Sequence, residues 1–202
     1  MKNFYISDLH LGHANVIKFD KRPFENLEEM HKTIFTNWNN VVSNDDTVYI
    51  LGDFCGLNEQ HWIDYLKNLN GKKVLVSGNH DIKRPSKELR KYFLDITPYK
   101  EVTDNGKRVI MSHYPMPMYR GAYNPNIYML YGHVHVTREE TFMIELKRKL
   151  RETYSKSGDN LAHFYNVGCM MPWMGYTPRT IDEIIAKGEE YYEASNIEIP
   201  IK

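Results

Sequence analysis

Short apolar runs alternate along this chain with stretches in which apolar residues recur every three or four positions. The runs read as β-strands at residues 3–7, 47–52, 72–77, 108–112, 127–131 and 163–167. The stretches between them have the period of helices with one buried face. Residues 27–42 set Leu27, Met30, Ile34, Trp38 and Val41 on such a face, and Asn26 with Glu29 resembles a capping box at its start. A second helix runs from Asn58 as N-cap to about Leu69, with Trp62, Ile63, Leu66 and Leu69 inward and Gly71 as the stop. A third follows Pro85-Ser86 and carries Leu89, Tyr92 and Phe93. A last helix begins at Thr180, where Glu183 completes a capping box and Ile181, Ile184 and Ile185 point inward. This alternation predicts an α/β fold with at least partly parallel pairing.

Residues 138–160 depart from the rhythm. Phe142, Leu146 and Leu150 recur at four-residue spacing among many charges, which predicts an amphipathic, solvated helix on the sheet, followed by a flexible link at 155–160. The chain has 202 residues, no internal repeat and no linker-like stretch, so residues 1–202 are expected to form a single domain. Its 26 basic and 26 acidic residues cancel, so no global field favours nucleic acid or a membrane surface. No apolar run approaches a membrane span and no leader-like segment precedes the first strand. With only Cys55 and Cys169, a disulfide framework is not expected and a cytoplasmic setting is. Nucleic acid is compatible but not indicated by charge, and the oligomeric state is open.

The chemistry is concentrated where strands end. Five polar segments follow strand-like runs: Ser7-Asp8-Leu9-His10, Gly52-Asp53, Gly78-Asn79-His80-Asp81, Ser112-His113-Tyr114-Pro115 and Gly132-His133-Val134-His135. Ligands gather beyond the carboxyl ends of strands in such sheets, so segments distant in sequence can converge. Asp8 and His10, two apart on an extended segment, share one face. A carboxylate such as Asp53 has two oxygens and can bridge two cations. Asn79 adds a neutral oxygen, and His133 and His135 join His113 and His10 as imidazole donors, a mixture that suits Mn, Fe, Ni or Zn better than Mg or Ca. Singly, each segment has an ordinary explanation as a turn, a cap or a surface pair of histidines. The ordered set of five does not.

These motifs resemble those of the calcineurin-like metallophosphoesterase family: Asp-x-His, Gly-Asp, Gly-Asn-His-Asp, Ser-His and Gly-His-x-His, matched over residues 7–135. One departure is that Phe54-Cys55-Gly56 follows Gly52-Asp53 without the family's second acidic or amide residue. The resemblance implies two stacked mixed β-sheets flanked by helices. It implies two divalent metal ions, Mn²⁺ first among the candidates. One would be held by Asp8, His10, Asp53 and His135 and the other by Asp53, Asn79, His113 and His133, with Asp53 bridging. A hydroxide between the ions would attack phosphorus, His80 would protonate the leaving group, and Asp81 would orient the His80 ring.

The protein phosphatases of the family carry an arginine before Gly-Asn-His-Glu, absent here, and the repair exonucleases are much longer. The chain is closer to compact bacterial or phage phosphoesterases, with a nucleotide-like phosphodiester as the expected substrate and a phosphomonoester or a non-catalytic scaffold role as alternatives. Retention of His80 favours the enzyme over the scaffold. Arg22 is a candidate for a phosphate contact, with Asn15 a weaker one. Tyr114, Arg120 and Tyr123 are candidates for the mouth of the site.

Overall fold

The apolar runs pair into two four-stranded sheets. In the first, β1 (Asn3–Ile6), β2 (Thr47–Ile50), β3 (Lys72–Val76) and β4 (Asp95–Thr97) lie in chain order, all parallel. In the second, β5 (Tyr99–Asp104) is antiparallel to β6 (Lys107–Ser112), while β7 (Ile127–Tyr131) and β8 (Phe164–Asn166) continue in parallel. The mixed pairing thus lies in the second sheet. The helices are α1 (Asn15–Phe19), α2 (Leu27–Val41), α3 (Glu59–Lys67), α4 (Lys87–Arg90), α5 (Arg138–Tyr154) and α6 (Ile181–Glu193). This computed structural model describes residues 1–154 and 162–193, so the link expected at 155–160 lies outside the described residues.

Residues of both sheets share one core. Val109, Met111, Leu130 and Tyr165 pack from the second sheet against the cluster built on β1, β2 and β3. The alternate residues Ile110, Met129, Tyr131 and Phe164 form a second cluster with Met143 of α5. With both faces covered, β6 and β7 read as continuous apolar runs. β4 and β5 have no such run, because every residue in them stays at least partly exposed, and they escape the sequence pattern.

The helix starts follow their caps. Asn26 Oδ1 accepts from the Glu29 backbone N–H at 3.0 Å, while Glu29 Oε2 accepts from Glu25, one residue before the cap. Asn58 Oδ1 caps α3, and Thr180 and Glu183 close the box at α6. Two expectations fail in detail. Val41 is exposed at the end of α2. On α5 the buried residues are Glu140, Met143, Ile144 and Lys147, whereas Phe142 is exposed and Leu146 only half-buried.

The buried charges on α5 are fully engaged. Glu140 accepts from the hydroxyls of Tyr131 (3.0 Å) and Tyr192 (3.1 Å) and from Asn166 Nδ2 (3.0 Å). Lys147 Nζ donates to the Phe164 carbonyl at 3.0 Å and sits 3.7 Å from the Tyr165 ring centroid. Charged groups can be buried when partners replace water, and hydrophobic spacing alone cannot report that.

Candidate metal centre

The two sheets are stitched at the ends that carry the polar segments. The Ser7 backbone N–H donates to Val167 and that of Cys169 to Ser7, both at 2.9 Å, so the chain after β1 runs beside the chain after β8. The loops after β1, β2, β3, β6 and β7 then converge. Asp8, Asp53 and His113 are buried, His10 nearly so, and His133 and His135 are half-buried. Asn79 and His80 are exposed at the rim.

Asp8 and His10 do share a site, but not through the alternation of an extended segment. Both have left-handed backbone, φ +56° and +49°. Among the described residues nine non-glycine positions have positive φ, and five of them are Asp8, His10, Asp53, His133 and His135. Such backbone is costly for residues with a Cβ and concentrates at functional sites. Glycine is needed beside it: a Cβ on Gly132 would collide with the side chains of Ser7 and Asp8, and one on Gly52 (φ +87°) with the His113 ring.

The facing atoms are mostly proton acceptors. His113 Nδ1 lies 2.8 Å from the Leu51 carbonyl, so it carries the proton and Nε2 is left as a lone pair. That Nε2 is 3.5 Å from Asp53 Oδ2 and 3.0 Å from Asn79 Oδ1. His10 Nε2 approaches the same Asp53 Oδ2 at 3.6 Å and His135 Nε2 at 3.2 Å. His135 Nε2 is also 3.5 Å from Asp8 Oδ1. Ligand atoms ~2.0–2.2 Å from a common cation stand ~3.0–3.5 Å from one another, so these spacings fit divalent ions. Two trios, Asp8-His10-His135 and Asp8-Asp53-His113, each offer atoms within 4.8 Å of one another. Asp8 therefore reaches toward both sets, whereas the resemblance gave it to one. His133 packs its ring 5.0 Å from that of His113, and its backbone N–H donates to Asp8.

The electrostatics follow from this crowding. Burial by itself would raise the Asp8 carboxyl, but His135, His113 and Ser7 hold it well below the usual range. Burial, with His135 nearby, pushes His10 down to about 4 against the pull of Asp8 and Asp53, leaving a neutral imidazole. Burial opposes a proton on His135, yet Asp20 and Asp8 raise it to about 10.

Several candidate residues are placed differently from expectation. Asp81 does not orient the His80 ring. Its carboxylate accepts from the backbone N–H groups of Gly78 (2.7 Å), Phe54 (2.9 Å) and Asp53 (3.1 Å), tying the second and third polar segments together. Arg22 is buried and cannot meet a phosphate: it donates to the carbonyls of Asp8 (2.8 Å) and Leu9 (3.0 Å) and to Asp20 (2.9 Å). Asn15 is exposed at the start of α1. Tyr114 is half-exposed with its ring 4.5 Å from that of His133, whereas Tyr123 points largely to solvent. The His80 ring lies 5.6 Å from that of His10, and its backbone N–H donates to Asp53 Oδ1 at 2.9 Å.

Asp20 is the residue that sequence reasoning missed. Its Oδ1 lies 2.7 Å from His135 Nδ1, fixing the ring so that Nε2 faces the centre, and its Oδ2 accepts from Arg22. It follows α1 rather than a strand, so no strand-end signal marks it.

The calcineurin-like phosphoesterase superfamily domain matches residues 1–181 of this chain. The chain belongs to that family, a class of metal-dependent phosphoester hydrolases. It is similar to MJ1445 of Methanocaldococcus jannaschii, 37% identical over 151 residues that cover 73% of this chain and 78% of that one. The gene 66 protein of Mycobacterium phage L5 is 34% identical over 85 residues, 41% of each chain. Among solved structures, AQ665 of Aquifex aeolicus has a TM-score of 0.64 at 29% identity, covering 91% of this chain and 97% of that one. No helix among the described residues is long and apolar enough to cross a membrane.

Proposed function

We propose that this protein hydrolyses small phosphodiesters, nucleotide-like ones among them, with two divalent cations at the centre described above. The observation that carries the reading is the position of Asp53 Oδ2, 3.6 Å from His10 Nε2 and 3.5 Å from His113 Nε2, where one oxygen serves two sets of donors. Asp8, His10, Asp53 and His135 would hold one ion. Asp53, Asn79, His113 and His133 would hold the other. The imidazole and carboxylate mixture favours Mn²⁺, with Fe, Ni or Zn as alternatives. When bound, such a pair supplies Lewis-acid and water-activating chemistry for displacement at phosphorus.

The chain's own groups do the rest. His80 stands exposed at the rim and hands a proton to the departing oxygen. Its backbone N–H holds Asp53 Oδ1, so the proton donor and the shared carboxylate are kept in register. Asp81 maintains that register through three backbone N–H groups rather than through the imidazole. Tyr114 walls the His133 side against the substrate. A reducing cytoplasm accords with Cys55 and Cys169, both buried and unpaired by disulfide.

Chelator-stripped protein should hydrolyse bis-p-nitrophenyl phosphate only after Mn²⁺ is restored, and faster than p-nitrophenyl phosphate. Two bound metals with no turnover of either ester would overturn the reading. Faster turnover of the monoester would overturn the diester preference alone.

A further inference from the structure

We propose that a cavity beside the metal centre receives the base of a nucleotide-like ester, with Phe19 as its stacking wall. The cavity has a volume of about 310 Å³ and is lined by Phe19, Val136, Thr137, Arg138 and Glu139. That is at the lower end of the ~300–1,000 Å³ typical of small-ligand sites. Its two walls grow out of the centre itself. Val136 follows the donor His135, and Phe19 precedes Asp20, which holds His135 Nδ1 at 2.7 Å. The Phe19 ring lies 6.3 Å from the His13 ring, and His13 in turn lies 5.9 Å from His10. A substituent on a phosphorus held at the centre therefore has a short path to this cavity.

The lining selects the chemical class. Single exposed apolar side chains are ordinary and need no explanation. Phe19, at 67% exposure, differs because it faces a cavity adjoining the site. A phenyl face offers stacking to any flat ring, and every base has such a face. The Thr137 hydroxyl is taken up by Glu139 Oε2 and the Val134 carbonyl, so along this cavity the Arg138 guanidinium is the donor, and the Glu139 carboxylate, with lone pairs beyond that bond, the acceptor for a ring edge. A plain phenyl leaving group needs none of these; a nucleobase uses both kinds.

The place of this subsite in catalysis rests on the phosphoesterase reading, but occupancy can be measured without it. Adenosine carries no phosphate, so its binding is independent of phosphoester chemistry. Titration of adenosine into full-length, Zn²⁺-loaded protein, followed by backbone amide NMR, should perturb Phe19, Val136, Thr137 and Arg138. Phe19→Ala should weaken binding about tenfold or more, as loss of a stacking face does, and Arg138→Ala should weaken it less. Perturbations clustered elsewhere, no binding up to the solubility limit, or unchanged affinity in both variants would overturn the proposal. The amide spectrum of each variant reports its fold in the same experiment. Adenosine binding without turnover of any nitrophenyl ester would sink the phosphoesterase reading and leave the subsite standing. Turnover without adenosine binding would sink the subsite alone.

Discussion

Glu140 under α5 and Asp8 at the strand ends are both carboxylates with no exposed surface, and their surroundings differ in kind. Glu140 meets three proton donors, from Tyr131, Tyr192 and Asn166. Lys147 on the same helix meets a carbonyl and three aromatic rings, with the Glu189 carboxylate 3.5 Å away. That region closes its charges within the protein. At the other site the donors run out. Once Ser7 and the backbone N–H groups of His80 and His133 have been used, Asp53 Oδ2 and the Nε2 atoms of His10 and His113 face one another, with Asn79 Oδ1 at the exposed rim and the proton held on His135, against burial, by Asp20 and Asp8 as a positive charge beside them. Buried acceptors in such number are stable only with something positive between them. Burial of charge therefore does not mark the functional site. Burial of acceptors without donors does.

The largest test of that contrast is Asp53→Ala. It removes the oxygen shared by both donor sets, so metal loading and turnover should both collapse, by more than the ~10–100-fold that loss of an outer partner costs. Elemental analysis showing two metals per chain in the variant would break the comparison. His80→Ala comes next. General acid assistance is worth ~10²–10⁴-fold, so turnover of a diester with a poor leaving group should fall in that range while nitrophenyl esters lose much less. An equal loss on both would remove His80 from the role. Asp20→Ala should cost ~10–100-fold in metal affinity by freeing the His135 ring, measurable by competition with a chelating dye. Unchanged affinity would mean that the Asp20–His135 contact is packing only.

Asp20 also marks the limit of what the sequence made legible. The five polar segments announced themselves because each follows an apolar run, and their convergence follows from the rule that strand ends meet. Caps at Asn26, Asn58 and Thr180 were legible for the same local reason. Asp20 and Arg22 act through contacts made across the fold, and neither stands at a strand end. Arg22 therefore read as a free cation when its guanidinium in fact clamps the Asp8 and Leu9 carbonyls. The inward face of α5 misled in the opposite way, because Phe142 has the right spacing and Glu140 the wrong polarity. Only the tyrosines of β7 and α6 reveal why the glutamate goes inside. The left-handed backbone at Asp8 and His10 was hidden too, since their two-residue spacing is equally good for an extended segment.

Glu140→Ala probes the other half of the comparison. Three buried donors lose their acceptor, and one unsatisfied group alone costs ~1–3 kcal/mol. Stability toward urea should fall by at least ~2 kcal/mol while the number of metals bound stays the same. Loss of metals with little loss of stability would mean that Asn166, which also donates to the His135 carbonyl at 3.3 Å, transmits Glu140 to the centre.

The smallest expected effect is on the pH dependence of stability, and its sign differs between the two regions. In chelator, His135 has a folded pKa of about 10 against 6.5, so its contribution is complete below about 6.5 and is lost as pH rises through about 10. Burial raises Glu140 from 4.5 to about 7, so its contribution is complete below 4.5 and is lost as pH rises through about 7. Burial lowers Lys147 from 10.5 to about 7, so its contribution is complete above 10.5 and is lost as pH falls through about 7. Near neutrality the last two slopes oppose each other. The double variant Glu140→Gln, Lys147→Met should thus leave the slope of unfolding free energy against pH unchanged at about pH 7 itself, make it less negative below and less positive above, while His135→Ala should flatten the limb between neutrality and about pH 10. Urea titrations across that range decide it. A slope that stays the same on both sides of pH 7 in the double variant would show that the charges under α5 do not offset each other in this way, and the distinction between the two regions would fall with it.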